Sequence, residues 1–307
     1  MKLSIVTTLY CSVLTIEEFH ARMSHVAKQL VGDDYEIIMV NDGSPDQSIE
    51  LATTLFHQDQ HLTVIDLSRN FGHHLAVMTG LQYASGEYVF ALDDDLEEEP
   101  EWLIAFWEEL QRTQADVIYG VQQTRKGKFF ERWSGAAFYK LFNCLSDVKI
   151  IENQIMAKLM TRRFVDALLH FKERNIFLAG ILALTGFQQC PLVCKKTSKG
   201  RTTYTLAKKI EQSINSLTSF STKPLYAIFY LGILITTISF FFLSYVIIQK
   251  LIIGTILDGW TSLMAVMTFG FGIVTAILGI IGLYLAKIFI EVKQRPYTIV
   301  KQILCHK

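Results

Sequence analysis

Two stretches without a charged residue, Leu225 to Ile248 and Trp260 to Ala286, constrain this 307-residue chain more than any other feature. Each exceeds the roughly 20 apolar residues that a helix needs to cross a bilayer core. Buried core helices are the alternative, but the runs are too long and too uniformly apolar for that. Gly270, Gly272, Gly279 and Gly282 lie in the second run, and small residues let membrane helices approach closely. Lys208, Lys209 and Lys223 precede the first run, and Lys287, Lys293, Arg295 and Lys301 follow the second. The connector, residues 249–259, offers only Lys250, opposed by Asp258. Lys and Arg accumulate on the cytoplasmic side of a membrane, so both termini are expected there and the connector outside. Met1-Lys2 leads directly into an apolar run rather than a signal peptide, so the N-terminal part is expected to stay in the cytoplasm.

The first two thirds of the chain read differently. Apolar runs at Leu3–Thr7, Tyr35–Val40, Leu62–Leu67, Tyr88–Leu92 and Val117–Gly120 predict strands. Helical patterns at Glu17–Leu30, Ser48–His57 and His74–Ala84 separate the first four. This alternation predicts an α/β fold with a mostly parallel, Rossmann-like sheet. Ligands of such sheets bind beyond the carboxyl ends of the strands, where the polar clusters Asn41-Asp42-Gly43-Ser44 and Asp93-Asp94-Asp95 fall. Lys+Arg and Asp+Glu balance at 29 each, which argues against a nucleic-acid partner. Five scattered cysteines form no disulfide framework and suit free thiols in a reducing compartment.

The segment Asp93-Asp94-Asp95-Leu96-Glu97-Glu98-Glu99 gathers six carboxylates after an apolar strand. Like charges repel, and a divalent cation such as Mg²⁺ or Mn²⁺, which prefers oxygen ligands and also binds phosphates, offsets that cost. Alternate residues of an extended segment share a face, so Asp93 and Asp95 can converge on one ion. For Glu98 and Glu99 the expectation is a solvated helix start ahead of Pro100-Glu101-Trp102.

This acidic stretch resembles the D-x-D motif of family 2 glycosyltransferases with the GT-A fold, and more narrowly that of the polyprenyl-phosphate glycosyltransferases. Val40-Asn41-Asp42-Gly43-Ser44, Leu67-Ser68-Arg69-Asn70-Phe71-Gly72-His73, Val117-Ile118-Tyr119-Gly120-Val121 and Leu159-Met160-Thr161-Arg162-Arg163 match in the same order. Gly279-Ile280-Ile281-Gly282-Leu283-Tyr284 and Glu291-Val292-Lys293-Gln294-Arg295-Pro296 resemble the ending of two-span bacterial members. The resemblance implies that Asp93 and Asp95 hold the metal and the donor diphosphate and that Asp42 binds the nucleoside. It places Glu97, where relatives often have Gln, and Asn70 on the donor side. It also implies an inverting transfer of a sugar from a nucleotide-sugar to polyprenyl phosphate at a bacterial inner membrane. A homo-oligomer is left open.

Two departures from the family pattern stand out. Relatives end the first strand in Pro-x-Tyr-Asn-Glu-Glu, whereas this chain reads Thr8-Leu9-Tyr10-Cys11-Ser12-Val13; Tyr10 alone is kept, and is expected to line the base pocket. Many relatives carry Gly-Asp-Phe-Arg where this chain has Ile155-Met156-Ala157-Lys158, so Met156 replaces an acid. A phosphate acceptor explains the loss. Its second pKa lies near 6, so its oxygen attacks as an anion without a protein base. A glycolipid hydroxyl acceptor, or a non-catalytic scaffold keeping the fold, are the competing readings. Basic residues supply candidate phosphate ligands: Arg125 in an aromatic-basic stretch suited to the membrane interface, Arg162 and Arg163, and Lys196 and Arg201 in a loop before Tyr204. The expected organisation is a catalytic domain over 1–204, an amphipathic juxtamembrane helix over 205–224, a two-helix anchor over 225–286 and a basic tail over 287–307.

Overall fold

The computed structural model describes residues 1–122, 153–172, 178–195, 221–253 and 259–306. The chain divides into two compact units, one built on a sheet and one on two long helices.

In the first unit strands and helices alternate as expected: β1 (Leu3–Leu9), α1 (Ile16–Val31), β2 (Tyr35–Asn41), α2 (Ser48–Gln58), β3 (Leu62–Leu67), α3 (His73–Tyr83) and β4 (Tyr88–Ala91). Then come α4 (Trp102–Thr113), β5 (Val117–Gln122), β6 (Gln154–Thr161), α5 (Arg162–Leu169), α6 (Leu178–Leu184), β7 (Gln189–Cys194) and, after the helix pair, β8 (Val300–Leu304). The eight strands form one sheet in the order β7-β5-β6-β4-β1-β2-β3-β8. β3, β2, β1 and β4 run parallel, while β6 and β8 run antiparallel to their neighbours. Every residue of β1 is buried, as in a sheet covered on both faces. α1 buries Ile16, Phe19, Met23, Val26 and Ala27, the i, i+3, i+4 stripe of a helix lying on a core. α4 closes the same core through Leu103, Phe106 and Leu110, with Phe106 edge-on to Phe90 at 5.5 Å.

The strand order fixes where a ligand fits. From β1 the chain winds out through β2 and β3, then returns to lay β4 on the other side of β1. The crevice beyond the carboxyl ends of β1 and β4 is therefore the topological switch point.

The second unit holds α7 (Lys223–Ile253) and α8 (Trp260–Val292). Both contain windows, Lys223–Phe242 and Gly270–Val292, long and apolar enough to cross a membrane, and neither window is buried within the protein. Tyr284 Oη donates to the Ser221 carbonyl at 2.8 Å, a bond between the start of this unit and its second helix.

The expected basic tail needs correction. Residues 287–292 continue α8, and Val300–Leu304 is no tail but the edge strand of the sheet, antiparallel to β3. Alternation in a five-residue segment is too short to read, and its partner strand lies more than two hundred residues earlier. Residues 205–220 of the amphipathic helix expected over 205–224 and the aromatic-basic stretch around Arg125 fall outside the described residues, and Lys223 and Pro224 already belong to α7.

Candidate active site

Four strand ends converge at the switch point. β1 runs into Thr8 and Tyr10, β2 into Asn41 and Asp42, β3 into the loop 68–72, and β4 into Asp93. Hydrogen bonds join the loops to each other. The Cys11 N–H donates to Ser44 Oγ at 2.8 Å and the Ser12 N–H to Ser48 Oγ at 2.9 Å, fastening the loop after β1 to that after β2. The Phe71 N–H donates to Asp42 Oδ1 at 2.7 Å and the Gly72 N–H to Oδ2 at 3.0 Å, fastening the loop after β2 to that after β3. Burial pushes the Asp42 carboxyl above its ordinary range; the two N–H donors, His73 and Arg69 pull it back.

Gly43 is required in this turn. Its φ of +59° is left-handed, and a Cβ there would collide with the Arg69 carbonyl carbon and the Asn70 nitrogen. The Asp42 turn and the 68–72 loop therefore touch backbone to backbone. Asn70 is exposed, and the Arg69 guanidinium lies over the Phe71 ring at 4.0 Å. Tyr10 stands exposed at the end of β1, free to face a ligand.

The acidic segment leaves β4 in a series of bends. Asp93 and Asp95 are on its open side, and Asp94 between them is buried. Burial, together with the charges of Asp93 and Asp95, pushes the Asp94 carboxyl up to about 7 despite a hydrogen bond from Ser12. Asp95 Oδ1 accepts the Glu97 N–H at 2.9 Å, and Leu96 turns the chain with a φ of +57°. Glu98 departs from the expected solvated helix start. It is 1 % exposed and accepts the Ala157 N–H at 2.8 Å and the Met156 N–H at 3.2 Å. A carboxylate so placed fixes the first part of β6 at Met156 and Ala157.

Two residues of the site were not expected from the sequence. His73 opens α3 with Nε2 3.4 Å from Asp93 Oδ1 and Nδ1 3.0 Å from Thr8 Oγ1. Desolvation and the nearby charge of Lys158 hold its pKa below the ordinary histidine value. Lys158, on β6, is 4 % exposed and donates from Nζ to the Ile155 carbonyl at 2.7 Å and the Met156 carbonyl at 3.2 Å. Burial lowers its pKa, while Glu98 and Asp93 hold its charge in place. A signal was present: Lys158 is the sole charge in the apolar run Ile155 to Met160.

Arg162 and Arg163 are not brought to this site. In the β4–β6 register Ala91 faces Lys158 and Tyr88 faces Thr161, so the arginines start α5 at the opposite end of the sheet. Arg162 donates to the Ala84 carbonyl at 2.6 Å and pairs with Asp166 at 2.9 Å; Arg163 pairs with buried Asp116. The Ala84 and Asp116 contacts hold the start of α5 against the sheet. Arg125, Lys196 and Arg201 lie outside the described residues.

Asp93 and Asp95 offer hard oxygen ligands on an open face. Among the described residues, no three His, Cys, Asp or Glu side chains converge on one point. That set does not fit a closed zinc site. It fits Mg²⁺ or Mn²⁺, which take one or two carboxylates and complete their shell with water and substrate phosphates.

Comparison with known proteins agrees with this geometry. The sequence profile of the family described as "Glycosyl transferase family 2" matches residues 4–172, the span that carries β1 to β6. A Mycobacterium tuberculosis (strain CDC 1551 / Oshkosh) protein with a provisional glycosyltransferase name is 42 % identical over 99 % of this chain and 88 % of its own. "Uncharacterized glycosyltransferase YkcC" of Bacillus subtilis (strain 168) is 35 % identical over 97 % and 93 %. "SfII prophage-derived bactoprenol glucosyl transferase" of Shigella flexneri is 31 % identical over 98 % of both chains. With its switch-point crevice, its acidic strand end and these near full-length relatives, the chain belongs to glycosyl transferase family 2: it is a glycosyltransferase with the GT-A fold.

Proposed function

We propose that this glycosyltransferase moves a sugar, with inversion, from a UDP- or GDP-linked donor to polyprenyl phosphate at the cytoplasmic face of a bacterial inner membrane. The observation that carries the reading is similarity over 98 % of both chains to a bactoprenol glucosyl transferase, helix pair included. On the donor side, Tyr10, Asp42, Asn70 and Glu97 would surround the nucleotide, and Asp93 and Asp95 would hold Mg²⁺ or Mn²⁺. Bound there, the cation neutralises charge on the departing nucleoside diphosphate.

The chain's own residues do the rest. The bonds from Phe71 and Gly72 to Asp42 hold the nucleoside end of the crevice rigid before the donor arrives. Lys158 places a buried positive charge beside Asp93, where it also offsets incoming phosphate charge. Met156 carries no base, and the Glu98 carboxylate is committed to backbone N–H groups. An acceptor that arrives already ionised needs neither. A hydroxyl acceptor would need a base, which disfavours the glycolipid reading.

The fold also supports the expected membrane topology. β8 follows the helix pair and pairs with β3, which precedes it, so both flanks of the pair belong to one sheet. Two crossings return the chain to the side from which it left. A test is to supply the purified enzyme in lipid with a panel of labelled nucleotide-sugars and undecaprenyl phosphate. One donor should yield a sugar-phosphate lipid whose label survives base and is released by mild acid. Labelling of no lipid phosphate by any UDP- or GDP-sugar would reject the proposal.

A further inference from the structure

β8 does more than cover an edge. The Ser68 N–H donates to the Ile299 carbonyl at 2.9 Å, at the point where β3 turns into the 68–72 loop. Thr298 Oγ1 meets Thr79 Oγ1 of α3 at 2.8 Å. Lys301 Nζ lies 3.1 Å from Asp66 Oδ2. The other oxygen of that carboxylate, Oδ1, accepts from Asn41 Nδ2 at 2.8 Å, and Asn41 Oδ1 in turn accepts the Ser44 N–H at 3.3 Å. Asn41 and Asp66 are both buried, so neither has water to replace a lost partner. Beyond the strand, His306 stacks on Phe56 at 4.0 Å and bonds the Phe56 carbonyl at 3.0 Å, closing the segment onto α2.

These contacts form one continuous path: Lys301 to Asp66, Asp66 to Asn41, Asn41 to the turn that carries Asp42. A second path runs from Ile299 through Ser68 into the loop that Asp42 holds. We infer that the segment following the second apolar helix is a working wall of the donor site, and that Lys301 is a positioning residue for the nucleotide-sugar although it does not reach it. The inference rests on the reading of the Asp42 turn as the nucleoside side of the crevice.

The chemistry explains why a charged residue serves here. Asp66 must present Oδ1 to Asn41 as an acceptor, and a cation on Oδ2 fixes the rotation of the carboxylate. Without Lys301, the carboxylate is free to turn and Asn41 loses its orientation, which loosens the Asp42–Ser44 turn against the 68–72 loop. Most of the Lys301 side chain is in solvent, so the pair supplies orientation more than stability.

The test uses the full chain in lipid nanodiscs, comparing Lys301→Met, Lys301→Glu and Lys301→Arg. Donor KM and the Kd for free nucleoside diphosphate should rise together by roughly three- to tenfold in Lys301→Met, and further in Lys301→Glu. The kcat at saturating donor and the KM for the lipid should stay within twofold, and Lys301→Arg should restore donor KM. Hydrogen exchange at residues 41–44 and 68–72 should quicken in Lys301→Met while that of β5 and β6 is unchanged. An unchanged donor KM in Lys301→Glu, or an equal rise in both KM values, overturns the inference. Asp42→Asn is the control: if it leaves nucleotide binding intact, the reading of the site is at fault; if it weakens binding and Lys301→Glu does not, only the role of β8 is.

Discussion

The two ends of the sheet treat carboxylates in opposite ways. At the amino ends of the parallel strands, acids are matched with bases. Asp116 binds Arg163 and the Thr161 hydroxyl, and Asp59 takes His20 on one oxygen and His61 on the other, each at 2.9 Å. Asp59 is accordingly held below the ordinary carboxylate range, its hydrogen bonds outweighing burial. At the carboxyl ends Asp66 of β3 is still matched, with Lys301 at 3.1 Å, but in the segment after β4 the acids are crowded together. Asp42 is bound by backbone N–H groups, Asp94 is pushed up to about 7, and Asp93 and Asp95 keep an open face. Matched acids hold the fold together. Gathered acids store repulsion, and under the proposed function a cation and the donor diphosphate would relieve it.

Substitution at each end separates the two roles. Asp95→Asn at the gathered end should cut transfer by about 10²–10³-fold while leaving the melting temperature within a few degrees. Removing divalent ions should do the same, with recovery on adding Mg²⁺ or Mn²⁺; full activity in EDTA would contradict the assignment. Asp116→Ala at the matched end should do the reverse, lowering the melting temperature by roughly 3–10 °C with kcat per folded molecule preserved. If Asp116→Ala abolishes transfer by folded enzyme, the division between the ends fails.

A smaller effect is expected at Gly43. Gly43→Ala forces a side chain onto left-handed backbone and against Arg69 and Asn70, at a cost of about 1–2 kcal/mol or more. Donor KM should rise about tenfold while lipid KM holds. Smallest for transfer is a change at His74, which bears on stability alone; burial pulls its pKa down to about 4. The unfolded ring takes a proton near 6.5 and the folded ring does not, so stability is full above pH 6.5 and declines from there toward 4, by up to about 3 kcal/mol. His74→Leu should flatten this acid limb of the melting profile; an unchanged slope would show that another group carries it.

How much of this was legible in the sequence follows from range. β1 to β4 and the helices between them were readable within a residue or two, because each is a local apolar run bounded by turn residues. That Asp42, Asp93 and Asp95 stand just beyond the carboxyl ends of β2 and β4 was readable because each follows directly on an apolar run. Glu98 was misread: acids before a helix are ordinarily solvated, and only the return of β6 beside it, nearly sixty residues later, buries it. Arg162 and Arg163 were misplaced for a related reason. A motif shows that arginines are present, but the antiparallel register of β6 decides which end of the sheet they occupy. β8 was missed because its alternation is short and its meaning lies wholly in β3. Local chemistry was therefore visible, and long-range pairing was not.

The central claim is that the acceptor brings its own charge, so that no protein base is needed where Met156 replaces the family's acid. The direct measurement compares polyprenyl phosphate with the matching polyprenol as acceptors for wild type and Met156→Asp. The account predicts transfer to the phosphate alone, a rate that rises through pH 6 as the phosphate ionises, and no gain of the roughly 10²–10⁴-fold typical of a general base in Met156→Asp. Efficient glycosylation of the alcohol by the wild type would contradict it.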